Sequence, residues 1–244
     1  MVEVHRGVCG PHMSGLNLSR KIIRQGFYWI TMEADCARMV KHCHNCQAHE
    51  NLNHLPPTEL QGLAEPWPFS AWGIDLVGEI KPQASNGHRF IVVAVDYFSK
   101  WVEAESFRNV TAKQMAKFVS RNIICRYGMP HHVVTDNGVQ FQGETREMLR
   151  SHGIGHHRSS PYRPQANGAV EAANKILKKI LAKMTETHKD WADKVPYALW
   201  GYRTSIRTAT GATPYSLVYG MEAVLPVEIE LKSLRIMMEA ELPE

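Results

Sequence analysis

Two histidines, His5 and His12, and a C-x-x-C pair, Cys43 and Cys46, fall within the first fifty residues of a chain of 244. A segment that short buries too little apolar surface to fold on packing alone, so a bound metal would supply much of its folding energy. Thirty residues separate the two pairs, and the four nitrogen and sulfur ligands match the closed tetrahedral set that zinc takes in structural sites. Met32, Cys36, Met39, Val40 and Cys43 recur at helical spacing, which puts the C-x-x-C at a helix end. A C-x-x-C also suits a redox pair, but no βαβ pattern surrounds this one. His42 and His44 flank Cys43 and are alternative ligands, and His5 also reads as an ordinary loop histidine.

The chain's five cysteines are an odd number, with Cys9, Cys36 and Cys125 outside the pair, which argues against a disulfide framework. Pro56, Pro57, Pro66 and Pro68 block regular structure, so 51–70 reads as a linker. It separates a zinc-binding segment, 1–50, from an alternating strand and helix zone, 71–220, which is followed by an acidic tail, 221–244. Hydrophobic residues at 44% and charged residues at 21% fit an ordinary globular protein. The longest strongly apolar run, Phe90 to Val95, is far too short to span a bilayer, and no signal-peptide pattern opens the chain. An intracellular, soluble protein with no membrane partner is expected. Net charge is only +4, yet residues 107–190 hold 14 Lys and Arg against 6 Asp and Glu. That asymmetry fits a polyanion-binding surface, although a solvated basic face would show the same count.

Within the long zone, Trp72 to Val77, Arg89 to Asp96, Trp101 to Glu105 and His132 to Thr135 read as short strands rich in β-branched residues. Thr111 to Cys125 reads as a helix with Thr111 as its N-cap, and Gly143 to Ser151 as a second. Gly168 to about His188 and Trp191 to Tyr202 are further helices. Strands followed by alternating helices give an α/β order.

Three carboxylates stand out in that pattern. Asp75 lies inside an apolar strand, a costly place for an acid unless it is paired or binds a metal. Asp136 ends the His132 to Thr135 strand and runs into the turn residues Asn137 and Gly138, while Glu171 starts the long helix. Strand-end acids beside a helix start converge naturally on hard, oxygen-loving cations such as Mg²⁺. At about 100° per residue, Lys175 and Lys178 fall within about 40° of Glu171. Ala173, Ile176, Leu177, Ile180 and Met184 occupy the opposite arc. Two lysines beside a metal-binding acid are well placed to meet phosphates, although a surface Glu–Lys pair would look the same.

Pro164-Gln-Ala-Asn-Gly-Ala-Val-Glu-Ala-Ala-Asn-Lys175 resembles the integrases of gypsy-type LTR retrotransposons, especially plant ones. The resemblance extends to Trp72-Gly-Ile-Asp75, Val95-Asp-Tyr-Phe-Ser-Lys-Trp-Val-Glu-Ala104, Thr135-Asp-Asn-Gly138, Tyr202-Arg-Thr204 and Thr213-Pro-Tyr-Ser-Leu-Val-Tyr-Gly220. His5, His12, Cys43 and Cys46, with Gln47, match the family's zinc pattern. The resemblance implies an α/β fold: a ribonuclease-H-like core with a mixed five-stranded sheet flanked by helices, preceded by a small helical zinc-binding domain. It implies a D,D-E triad of Asp75, Asp136 and Glu171 holding two Mg²⁺ or Mn²⁺ ions, and structural Zn²⁺ on the His and Cys set. Asn167, Asn174, Lys175 and Lys178 look like the family's DNA-end contacts. The implied reaction is trimming of element DNA ends followed by attack of each 3′-hydroxyl on target DNA, by a homo-oligomer in the nucleus.

A ribonuclease H would share the core but lack the His and Cys module and the Pro164 to Lys175 motif. Thirty-four residues separate Asp136 from Glu171, one fewer than the family usually has, and the missing one falls between Gln142 and His152. The family's preceding helical segment and its C-terminal domain are also missing from this sequence. The alternative is therefore a catalytically dead remnant that folds and binds zinc or DNA.

Overall fold

The four strands read from the sequence pair, together with a fifth, into one five-stranded sheet. In this computed structural model, the described residues are 1–7, 10–48, 66–158, 168–185, 189–231 and 233–240. They form two compact units, one of residues 1–53 and 200–244 and the other of residues 54–199. Residues 200–220, placed by the sequence pattern at the end of the strand and helix zone, thus cluster with the first unit.

The sheet belongs to the second unit. Strands β1 (Ala71–Val77), β2 (Phe90–Asp96) and β3 (Val102–Phe107) form an antiparallel meander. Strand β4 (His132–Thr135) then pairs parallel to β1, and β5 (Gly155–Arg158) parallel to β4. The sheet is mixed, as the resemblance implies. β5 was not read from the sequence, because Gly155-His-His-Arg158 has no apolar alternation to mark it.

Each face of the sheet buries its own set of side chains. Trp72, Ile74, Val92 and Ala94 are fully buried on one face. There Trp72 meets Tyr127 with ring centroids 5.3 Å apart, and Phe107 meets Phe118 at 6.5 Å. The helix expected from Thr111 divides into α5 (Ala112–Val119), a π-helical turn (Ser120–Ile124) and a last turn (Cys125–Tyr127). Its start is a full capping box: the Thr111 hydroxyl accepts from the Gln114 N–H, and the Gln114 side chain accepts from the Thr111 N–H. Next to it lies α7 (Glu144–Ser151), after the short helical turn α6, Cys125–Tyr127.

The opposite face, with Val77, Ile91, Val93 and Ala104, is covered by α8 (Gly168–Met184) and the first part of α9 (Trp191–Arg203). Val170, Ala173, Leu177, Ile180 and Leu181 of α8 are buried, at the helical spacing that an inward face requires.

The first unit has its own core. Helices α1 (Val2–Arg6), α2 (Gly15–Arg24), α3 (Met32–Lys41) and α4 (His44–Ala48) contribute Val4, Leu18, Ile22, Met32 and Cys36, closed by Leu225. Cys36 is fully buried among these side chains and so serves packing. No described helix is long and apolar enough to cross a membrane.

Candidate functional site

The parallel ladder between β1 and β4 sets the first pair of acids. Ala71, Trp72 and Gly73 face His132, Val133 and Val134, and the same register carried two residues further puts Asp75 beside Asp136. Neighbouring strands lie about 4.8 Å apart, so the two carboxylates start from adjacent positions at the same end of the sheet. Asp136 is held by its own turn, in which the Gly138 N–H donates to Oδ1 at 2.9 Å.

Glu171 arrives from the other side, on the first turn of α8. Its approach depends on Gly73, two residues before Asp75 and on the same face of β1. A Cβ on Gly73 would collide with Val170 Cγ2 and lie 2.6 Å from the Tyr97 hydroxyl. Gly73→Ala is therefore expected to push the start of α8 off the sheet. Overpacking of this kind costs about 1–3 kcal/mol. Both the melting temperature and metal-dependent DNA cleavage should fall while zinc content stays constant. Unchanged cleavage would mean that Glu171 does not need this close approach.

The acids feel one another. Burial pushes the Asp75 carboxyl above its ordinary value, and the charges of Asp136 and Glu171 push it the same way. The Leu76 N–H, donating to Oδ1 at 2.8 Å, and the Lys178 ammonium oppose that rise. Half-buried Asp75 and Asp136 and exposed Glu171 thus share one electrostatic site, with exposed Lys175 and Lys178 on the same helix. The three carboxylates do not form as closed a ligand cluster as the His and Cys set described below.

Asn174 departs from expectation. It is 8% exposed and turned inward, and its side-chain N–H donates to Asp75 Oδ2 at 2.6 Å. Its position on α8 at i+3 from Glu171 places it towards the sheet, where it braces Asp75. Its carbonyl oxygen is buried with no hydrogen-bond partner. Asn167 lies outside the described residues, as do residues 164–166 of the same motif.

Two more buried acids were not singled out in the sequence. Asp96, at the end of β2, accepts the Phe69 N–H at 2.9 Å and the Ser99 N–H and hydroxyl at 2.7 and 2.6 Å. Burial raises its carboxyl while those donors oppose the rise. Glu103, on β3, accepts from Trp101 Nε1 and from Arg126 at 3.1 Å. Both brace the β2–β3 corner and the helical layer behind it.

In the first unit, His5, His12, Cys43 and Cys46 come together with all four ligand atoms within 4.8 Å of one another. Cys43 Sγ lies 3.4 Å from His12 Nδ1, and Cys46 Sγ lies 3.4 Å from His5 Nε2 and 3.8 Å from His12 Nδ1. With usual zinc bond lengths, the nitrogen–sulfur edge of a tetrahedron is about 3.5 Å, so the set fits that ion. Two backbone features allow the closure. His12 takes a left-handed φ of 49°, an uncommon conformation for a residue with a side chain, and its N–H donates to the His5 carbonyl at 3.0 Å. Gly10 passes so close to α1 that a Cβ would lie 2.6 Å from the His5 carbonyl. His42 and His44 are exposed and outside the cluster, and Cys9 lies outside the described residues.

Comparison with known proteins gives two domain matches. Residues 1–51 match the integrase zinc binding domain, and residues 65–164 match the integrase core domain. The Transposon Tf2-3 and Tf2-4 polyproteins of Schizosaccharomyces pombe are each 29% identical over 220 residues, covering 88% of this chain. The chain spans only 16% of the length of those polyproteins. Among solved structures, an intasome of simian T-cell lymphotropic virus in complex with the PP2A regulatory subunit B56 gamma shares the fold. It has a TM-score of 0.59 and 23% identity, and the match covers 88% of this chain and 71% of that one. Both integrase domain types are thus present, in the order in which the zinc cluster and the acidic sheet edge occur here, and the polyprotein relatives support an LTR retrotransposon integrase.

Proposed function

We propose that the chain is the zinc-binding and catalytic part of an integrase that trims the 3′ ends of element DNA and joins them to target DNA. The observation that carries this reading is the convergence of Asp136 and Glu171 on the partly buried Asp75, beside Lys178. Desolvated like charges are held together only at a cost, and a bound cation removes that cost. Asp75, Asp136 and Glu171 would together hold two Mg²⁺ or Mn²⁺ ions. When bound, such ions lower the barrier to attack on phosphorus and stabilise the leaving oxygen.

The chain's own groups hold the reactants. Lys175 and Lys178 meet phosphates next to the acids, and such contacts carry no sequence information. In the first step a water oxygen forms a bond to phosphorus as the P–O3′ bond breaks, and the departing 3′-oxygen takes up a proton. In the second, that 3′-hydroxyl loses its proton and bonds to a target phosphorus, whose own P–O3′ bond breaks. His5, His12, Cys43 and Cys46 would hold a structural Zn²⁺ with no open position. A homo-oligomer acting in the nucleus completes the reading.

Labelled element-end DNA, Mn²⁺ and the purified chain test it, with Asp136→Asn as control. Cleavage and joining are expected from the wild type and not from the control. Equally low product from both would leave a non-catalytic family member that keeps fold and zinc.

A further inference from the structure

We propose that His156, on β5, is a positioning residue for Asp136, acting through the Thr135 hydroxyl. The inference rests on the reading of Asp136 as a metal-binding acid. Thr135 is the last residue of β4 and fully buried. Its Oγ1 lies 2.8 Å from the backbone carbonyl of Asp136 and 2.8 Å from His156 Nε2. A carbonyl only accepts, so the single hydroxyl hydrogen goes to Asp136, and the Thr135 oxygen must receive a hydrogen from His156. The relay therefore runs from Nε2–H of His156 to Oγ1 of Thr135 and on to the carbonyl of Asp136.

This chain grips Asp136 from the side that the Gly138 contact leaves open. The Gly138 N–H fixes the Asp136 carboxylate through Oδ1, and the Thr135 hydroxyl fixes the peptide that follows Asp136. Together they hold both the Asp136 carboxylate and the peptide that follows it. The register explains why His156 serves: β5 runs parallel to β4, with His156 opposite Val133 and Arg158 opposite Thr135. In that ladder, a side chain the length of histidine reaches forward along the strand to the Thr135 hydroxyl. Removing partners that orient metal ligands typically costs on the order of 10–100-fold in metal affinity.

Mn²⁺ titration of the zinc-loaded full chain, read by the electron paramagnetic resonance of free Mn²⁺, tests the relay. The proteins compared are the wild type, His156→Leu, His156→Gln, Thr135→Val and Asp136→Asn. Leu removes the donor, whereas Gln restores an N–H of similar reach. Thr135→Val deletes the same link with little change of shape, in case His156→Leu does not fold. Binding is expected to weaken about tenfold in His156→Leu and Thr135→Val, and to return close to wild type in His156→Gln. Wild-type affinity in Thr135→Val, with Asp136→Asn impaired, overturns the relay alone. Equal weakening in His156→Leu and His156→Gln reduces His156 to packing and overturns its donor role. Unchanged binding in Asp136→Asn removes the metal reading, and with it the relay.

Discussion

Asp75→Asn is expected to abolish DNA cleavage and joining while raising the melting temperature of the chain without added Mg²⁺ or Mn²⁺. The two effects share one cause. Burial, first, and the charges of Asp136 and Glu171, second, raise the Asp75 carboxyl in the folded chain above its unfolded value. The folded state then binds the proton more tightly than the unfolded state. Stability is full below the unfolded pKa of about 3.9 and declines as pH climbs towards the raised folded value. At neutral pH the charged group therefore weighs on the fold, and an uncharged amide of the same shape relieves it. The neighbourhood can accept the exchange. The Leu76 N–H still finds an oxygen, and Asn174 can turn its unpartnered carbonyl to the new side-chain N–H. Added Mg²⁺ or Mn²⁺ should stabilise the wild type and leave the variant unmoved. A variant that melts lower than the wild type, or that still cuts DNA, would show that Asp75 is not held as described.

The second large effect concerns zinc. Cys46→Ser should empty the cluster and unfold most of the first unit, because a structural zinc supplies about 10–16 kcal/mol at neutral pH and the four short helices bury little without it. Circular dichroism should lose helix signal, and the zinc-to-protein ratio, measured by mass spectrometry on native protein, should fall from about one to near zero. Cys36→Ala is the informative companion. Cys36 lies in the apolar core of the same unit rather than in the cluster, so this variant should melt somewhat lower and keep its zinc. A wild-type chain purified without zinc would end the argument.

The same residues show what the sequence could and could not disclose. Asp75 stood out because it interrupts an apolar strand, and Thr111 announced the start of α5 as its N-cap. Both rest on contacts between near neighbours. The histidine strand β5 stayed hidden, since its place in the sheet comes from pairing with β4 rather than from its own composition. Asp96 and Glu103 carry the same outward sign as Asp75, an acid in an apolar strand. Only their donors, among them groups of residues 69, 99, 101, 126 and 127, mark them as structural. The inward turn of Asn174 was likewise hidden, since it depends on Asp75, a partner far away in sequence.

The ladder between β1 and β4 bears on how such a chain tolerates change in length. The separation of Asp75 and Asp136 is counted in rungs of that ladder, so residues gained or lost between Val77 and His132 need not alter it. A slip of one rung would, since it turns every side chain of a strand to the opposite face. A change of length between Asp136 and Glu171 falls beyond both strands. Any adjustment it demands falls on Glu171 and the approach of α8, and the pair of aspartates is insulated from it. Drift in this molecule has one of the three carboxylates to act on, and it is the one carried by a helix.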